Sequence, residues 1–239
     1  MAAHPASADR PPAPKAVLFD VYGTLLDVYS VALRAEQMFP GAGERLARAW
    51  RERQIEYSRL VSMGGRYRPF WQLTRDALQV SAAALGLPLD DAGADSLMNE
   101  YRHLSAFPEN RGVLQALAGR GIRAGILSNG DPEMLAVAIR SAGLTELIDP
   151  ILSVHATRRY KTDPAAYAIG PQALGLPASE ILFVSSNCWD ACGATWFGYT
   201  TFWINRAGHP AERLDVAPTG TGHDMNDLLA FVAASGVGV

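Results

Sequence analysis

Two carboxylates and one ammonium, Asp20, Asp190 and Lys161, each stand close behind a short apolar run. Asp20 follows Ala16-Val17-Leu18-Phe19 and precedes Val21-Tyr22-Gly23-Thr24. Four apolar residues have the length and composition of a buried parallel strand, and Gly23 permits a turn that a side chain would resist. Asp20 then lies at the carboxyl end of a strand, where open α/β sheets place their ligand sites. Ser128-Asn129-Gly130 follows the apolar segment 123–127, Lys161 follows a third segment near 151–154, and Ser185-Ser186-Asn187-Cys188-Trp189-Asp190 follows 181–184. In one parallel sheet these ends share an edge. Carboxylates, hydroxyls, amides and a lysine would converge there, in a set suited to acid–base or nucleophilic work. Each also has an ordinary explanation. Asp20 and Ser128-Asn129-Gly130 read as turn residues, and Lys161 as a solvated side chain. Asp163 reads as an N-cap ahead of Pro164, and Asp190 as an acid placed for a helix dipole. Their coincidence at every strand end favours a site.

The elements that must position these residues follow from the periodicity. Beyond Asp27 the pattern turns helical. The segment 28–39 carries Val28, Val31, Ala32, Ala35 and Phe39 on one stripe, and Pro40-Gly41-Ala42-Gly43 stops it. The segment 44–60 is charged and amphipathic, with Leu46, Ala47, Trp50, Ile55, Tyr57 and Leu60 as candidate buried positions. Further helices are predicted over 70–85, with Thr74, Ala77, Leu78 and Ala82 inside, and over 91–104. No convincing strand lies between Val28 and Phe107, so 28–107 reads as a helical insertion after the first strand–turn unit. From Pro108 strands and helices alternate, with a strand at 200–204 and a last helix near 225–234, which argues for a mainly parallel sheet covered on both faces.

Composition limits the alternatives. The chain has 239 residues, 49% of them hydrophobic, and a net charge of −3. It can bury a sizeable core, and no basic excess calls for nucleic acid or anionic lipid. No apolar run of membrane-spanning length occurs. The first residues lack the apolar segment of a secretory signal, and 1–14 reads as a disordered Pro- and Ala-rich tail. The two cysteines, Cys188 and Cys192, share a face if helical but lack a zinc spacing. They read as free thiols of a reducing compartment, and a cytoplasmic location is expected.

The order Asp20-x-Tyr22-Gly23-Thr24, Ser128-Asn129-Gly130, Lys161-x-Asp163-Pro164 and Ser185-Ser186-Asn187-x-Trp189-Asp190 resembles the haloacid dehalogenase superfamily. Within it the chain most resembles the L-2-haloacid dehalogenases, because Arg51-x-x-Gln54-Ile55-Glu56-Tyr57-Ser58 matches as well. The resemblance covers about residues 15–235. It implies a Rossmann-like parallel-sheet core, 15–27 and 108–239, with helices on both faces and a four-helix cap subdomain at 28–107. It also implies a homodimer.

The branch can be argued physically. Phosphatases of the superfamily carry a second Asp two residues after the nucleophile, as an acid for the leaving alkoxide. Here Tyr22 stands there, too weak an acid at neutral pH. Their fourth motif carries an Asp that helps hold magnesium, and here Ser186 takes its place. A halide leaving group needs no proton, so no metal or cofactor is expected.

What the resemblance implies for the site is two-step covalent catalysis. Asp20 attacks the halogen-bearing carbon of an L-2-haloalkanoate, halide leaves, and water hydrolyses the aspartyl ester to a D-2-hydroxy acid. Asp190 orients or activates that water, and Lys161 holds the nucleophile ionised. Thr24, Ser185 and Asn187 hydrogen-bond the nucleophile and the developing oxyanion. Ser128 binds the substrate carboxylate. Arg51, Asn129 and Phe70 match the halide cradle, Tyr22, Ile55 and Trp189 the apolar wall, and Tyr167 a supporting tyrosine. By itself Arg51 reads as one of several solvated arginines, with Arg45, Arg48, Arg53 and Arg59. Phe70 and Trp189 by themselves read as packing residues. Thr162 stands where relatives have Pro, and His155 where they are often acidic. The rival readings are a phosphatase acting on a small phosphorylated metabolite and a non-catalytic binding protein on the same scaffold.

Overall fold

The computed structural model describes residues 13–235. Most of the expected N-terminal tail, residues 1–12, lies outside the described residues. Six parallel strands form one sheet in the order β3-β2-β1-β4-β5-β6. They are β1 Ala16–Phe19, β2 Arg123–Ser128, β3 Ile151–Ser153, β4 Ile181–Ser185, β5 Thr200–Ile204 and β6 Gly220–Gly222. All four residues of β1 are buried, as a strand covered on both faces requires. β1 lies between β2 and β4, with Phe19 opposite Ile126 on one side and Val184 on the other. The chain segments that follow Phe19, Ser128 and Ser185 therefore emerge side by side, as an open α/β sheet demands of its ligand edge.

Between β1 and β2 come five helices: α1 Ala32–Met38, α2 Gly43–Met63, α3 Phe70–Ala84, α4 Asp91–Arg102 and α5 Asn110–Gly119. The first four pack on one another, α2 against both α1 and α3. Leu46, Trp50, Leu73, Leu78, Leu97 and Tyr101 are buried among them. Polar groups inside this layer are paired. The Trp50 indole N–H donates to Thr74 O at 2.7 Å, and Gln54 Nε2 donates to Thr74 Oγ1 at 2.6 Å and to Tyr101 Oη at 3.1 Å. The two ends of the insertion run alongside each other. Asp27 N donates to Ser105 O at 2.8 Å and Phe107 N to Leu25 O at 3.2 Å.

The later helices are α6 Pro132–Ser141, α7 Pro164–Leu174, α8 Cys188–Phe197 and α9 Met225–Ala234. α7 begins as its sequence predicts: Asp163 accepts from Ala165 N at 2.9 Å, with Pro164 at the first position. Its C-terminal Gly175 takes the left-handed conformation, φ 65°. On α8, Cys188 and Cys192 are buried, free and on one face, packed with Ala191 and Trp203.

The structure departs from the sequence reading at several points. α1 starts at Ala32 and not at residue 28, because Asp27 Oδ1 accepts from Tyr29 N and holds a turn there. Leu60 is 51% exposed, with Met63 after it, while Ile55 and Tyr57 are only partly buried. The polar Gln54 and Ser58 turn inward in that stretch instead. β6 was not foreseen, since Gly220-Thr221-Gly222 has no apolar run.

Candidate active site

Asp20 leaves the end of β1 and is 6% exposed. Its two oxygens have separate partners. Oδ1 accepts from Lys161 Nζ at 3.0 Å. Oδ2 accepts from Thr24 Oγ1 at 3.1 Å and Asn187 Nδ2 at 3.2 Å. Lys161, 1% exposed, also donates to Asp190 Oδ2 at 2.9 Å. One buried ammonium thus joins two carboxylates from distant parts of the chain. Burial alone would lower the lysine pKa, but Asp190 and then Asp20 more than offset it, so the pKa lies above the ordinary lysine value. Burial raises the pKa of Asp190, an effect that Asp20 strengthens and Lys161 opposes. Tyr167, rising from α7, donates to Asp190 Oδ1 at 2.7 Å and to its backbone O at 3.1 Å. Burial and the nearby Asp190 carboxylate push the Tyr167 hydroxyl well above the ordinary tyrosine range, so it donates and does not ionise.

That approach depends on Gly193, one turn beyond Asp190. A Cβ there would lie 2.6 Å from Tyr167 Oη and 2.7 Å from Thr162 Cγ2. Thr24 is shared in the same way on the other flank: its Oγ1 accepts from Ser186 N at 2.8 Å while donating toward Asp20. Ser185 behaves differently from expectation. It is not among the hydrogen-bond partners of Asp20; its Oγ accepts from Asn187 N at 3.1 Å and shapes the loop that carries Asn187.

Ser128 and Asn129 lie on the neighbouring loop. Ser128 Oγ accepts from Gly130 N at 3.2 Å, and Asn129 Oδ1 accepts from Lys161 N at 3.0 Å. The Asn129 contact uses the amide oxygen and leaves the amide nitrogen outside that bond. Above these loops α2 supplies Arg51, whose guanidinium donates to Tyr22 O and to Gln54 Oε1, both at 2.8 Å. Asp20, Tyr22, Arg51, Ile55, Phe70, Ser128, Asn129, Asn187 and Trp189 together line a small cavity of about 10 Å³, the room of roughly one water. The Tyr22 ring stacks on Tyr101 at 5.4 Å and tilts against Phe70 at 5.9 Å. Burial, with Tyr101 and Asp131 adding to it, raises the Tyr22 pKa well above the ordinary value. A larger cavity, about 400 Å³, lies beyond Arg51 and Tyr22 and shares them, with Ile55 and Asn187, as walls.

Two residues outside the expected set tie the helical layer to the sheet. Asp131 accepts from Phe70 N at 3.0 Å and Trp71 N at 2.8 Å, so it satisfies the first turn of α3 from across the cleft. His155 Nδ1 lies 3.2 Å from Asp131 Oδ1 and 2.9 Å from Tyr67 Oη. The signal that could have found Asp131 is its place beside Ser128-Asn129; its side chain makes no cap bond to the helix that follows it. Among the described residues no cluster of three or more His, Cys, Asp or Glu could hold a metal ion.

Comparison with known proteins agrees with this geometry. Residues 14–198 match the family model described as haloacid dehalogenase-like hydrolase. The (S)-2-haloacid dehalogenase of Pseudomonas sp. strain YL is 44% identical over 204 residues, covering 85% of this chain and 88% of the relative. A solved L-2-haloacid dehalogenase superposes with TM-score 0.91 at 60% identity, covering 92% of this chain and 99% of that one. The Xanthobacter autotrophicus L-2-haloacid dehalogenase, solved with chloropropionic acid covalently bound, superposes with TM-score 0.87 at 35% identity, covering 92% and 98%. With its catalytic-edge geometry and these matches taken together, the chain belongs to the L-2-haloacid dehalogenases of the haloacid dehalogenase-like hydrolase family.

Proposed function

We propose that the protein hydrolyses L-2-haloalkanoic acids to D-2-hydroxy acids and halide through an ester on Asp20. The observation that carries this reading is Lys161 bridging Asp20 and Asp190 beside a cavity with apolar walls and no acid for the leaving group. An Asp20 oxygen attacks the halogen-bearing carbon from the rear, the carbon–halogen bond breaks with inversion, and halide leaves with the electron pair. Water then adds to the ester carbonyl of Asp20, giving up one proton to Asp190. The bond from the acyl carbon to the substrate oxygen breaks, and the departing alkoxide takes the remaining proton of the added water, so Asp20 returns as carboxylate and the hydroxy acid leaves. Asp190 then releases its proton to solvent.

Thr24 and Asn187 orient the nucleophile and, with Ser185 holding their loop, receive the oxyanion of the second step. Tyr167 holds Asp190 in place. Ser128 and neighbouring backbone amides take the substrate carboxylate, and Arg51, Asn129 and Phe70 cradle the departing halide. Tyr22, Ile55 and Trp189 bound its alkyl part. The insertion 28–107 acts as a cap over the core formed by 15–27 and 108–239. The Tyr22 hydroxyl, held far above the ordinary range, disfavours a phosphatase, which needs an acid at that position. A homodimer working in the cytoplasm belongs to the same reading. It is supported by the free thiols Cys188 and Cys192 and by the exposed apolar side chains Leu33, Leu60 and Met63. No helix among the described residues is long and apolar enough to cross a membrane.

Halide release from L- and D-2-chloropropionate, measured with EDTA beside a magnesium-dependent phosphatase assay, tests this. Chloride from the L form alone is expected. Phosphate release with no chloride would overturn the reading.

A further inference from the structure

Arg59 is a cation that the chemistry at Asp20 leaves unused. It lies on α2 four residues after Ile55 and eight after Arg51, so the three share one helix face. Its guanidinium carbon sits 4.6 Å from the centre of the Trp189 ring. Glu212 and Asp190 pull on its charge from a distance and Arg51 opposes them, but none is within ion-pairing reach among the described residues. A guanidinium over an aromatic ring is held by its charge and still has N–H groups that can fork onto a carboxylate. Among the described residues Arg59 makes no side-chain hydrogen bond or ion pair, so the contact with Trp189 leaves its donors available.

The position is also specific. Arg59 lines a cavity of about 510 Å³ whose walls include Ile55 and Trp189, the same two side chains that bound the catalytic cavity. It also lines a groove of about 440 Å³ that reaches Lys161 from the other side. An anion in either cavity lies against this guanidinium. Glu52 and Glu56 line the 510 Å³ cavity as well, and Asp20 and Asp190 stand beyond it with Lys161 offsetting one of them, so Arg59 is the cation that an incoming anion meets among carboxylates on that wall.

We propose that Arg59 forms an outer anion site that receives the carboxylate of the 2-haloalkanoate at the mouth of the catalytic pocket, before it passes Ile55 and Trp189. The proposal rests on the dehalogenase reading above. The outer site raises the local concentration of an anionic substrate and supplies no chemistry, so it acts on capture and not on turnover.

The experiment compares the full chain with Arg59→Gln and Arg59→Lys, using L-2-chloropropionate as substrate and propionate as a competing anion, over a range of ionic strength. Chloride release by the unmodified protein judges the dehalogenase reading, and the variants judge the outer site. Arg59→Gln is expected to raise KM and the propionate inhibition constant about fivefold, the scale of one exposed charge interaction. kcat stays level, the fall of kcat/KM with salt becomes shallower, and Arg59→Lys recovers the salt slope in part. Unchanged KM and salt slope would overturn the proposal. A lower kcat at unchanged KM would overturn it too, making Arg59 a support for Trp189. Weakened inhibition by bromide alone, with KM intact, would assign the site to the departing halide and overturn the carboxylate assignment.

Discussion

Asp131 accepts the backbone N–H of Phe70 at 3.0 Å, across the cleft between the sheet edge and the helical insertion. The loop that presents Ser128 and Asn129 therefore also fixes the first turn of α3. Asp131→Ala leaves two N–H groups of that turn without acceptors. The expected cost is about 1–2 kcal/mol, a fall in Tm of several degrees. KM rises as Phe70 loosens, while Asp131→Asn, which keeps one acceptor, sits between the two. Thermal melts and steady-state kinetics on the same preparations check this, and an unchanged Tm would refute it.

Asp20→Asn is expected to lower halide release by about a thousandfold or more, the scale of losing a nucleophile. The fold is expected to persist, since the amide occupies the same space. In the unmodified protein, the ester route also predicts where oxygen travels. One turnover in ¹⁸O-labelled water places the label in Asp20 and leaves the hydroxy acid unlabelled. Label found directly in the product after one turnover would rule out the ester.

Tyr167→Phe removes the 2.7 Å hydrogen bond to Asp190 Oδ1, which favours the carboxylate form. Asp190 already has a raised pKa from burial, so losing this donor raises it further. The base works only when ionised, and activity is lost as pH falls through its pKa. The acid limb of kcat is therefore expected to move to higher pH. A pH–rate profile of both proteins decides it, and a limb that stays put or moves to lower pH would contradict it.

Gly193→Ala places a methyl group 2.6 Å from Tyr167 Oη. The hydroxyl must retreat, so the acid limb shifts in the same direction as in Tyr167→Phe. The crowding adds a loss of about 1–3 kcal/mol in stability. In the double variant the pH shift is expected to equal that of Tyr167→Phe alone, because both act through one contact. Additive shifts would show that Gly193 acts on Asp190 by another route.

Much of the site was legible because its residues end strands. Asp20, Ser128 and Ser185 each follow an apolar run, and strand order alone brings those ends together. Lys161 was harder to place from pattern, yet it reaches both carboxylates across 141 and 29 residues of chain. What sequence could not give were side-chain choices made by tertiary contacts. Asp131 follows Ser128-Asn129-Gly130 with nothing in the pattern to show that its oxygens serve a helix 60 residues earlier. Ser185 carries the right chemistry at the right strand end, but its Oγ accepts from the Asn187 backbone N–H and is not bonded to Asp20. β6 escaped because its glycines are there for closeness: a Cβ at Gly220 would meet the Phe231 ring at 2.6 Å. Leu60 fits a helical stripe, but Ser58 and Val61 take the inward face of that turn and leave Leu60 toward solvent.

The single lysine between two carboxylates also links the two steps. While Asp20 is charged, it is one of the influences that raise the pKa of Asp190. Once Asp20 becomes an ester that influence is gone, and Lys161 turns wholly to Asp190. The loss of that neighbouring charge favours the ionised form of Asp190, the form that the proposed second step needs. One fixed lysine thus serves both halves of the proposed reaction with no moving part.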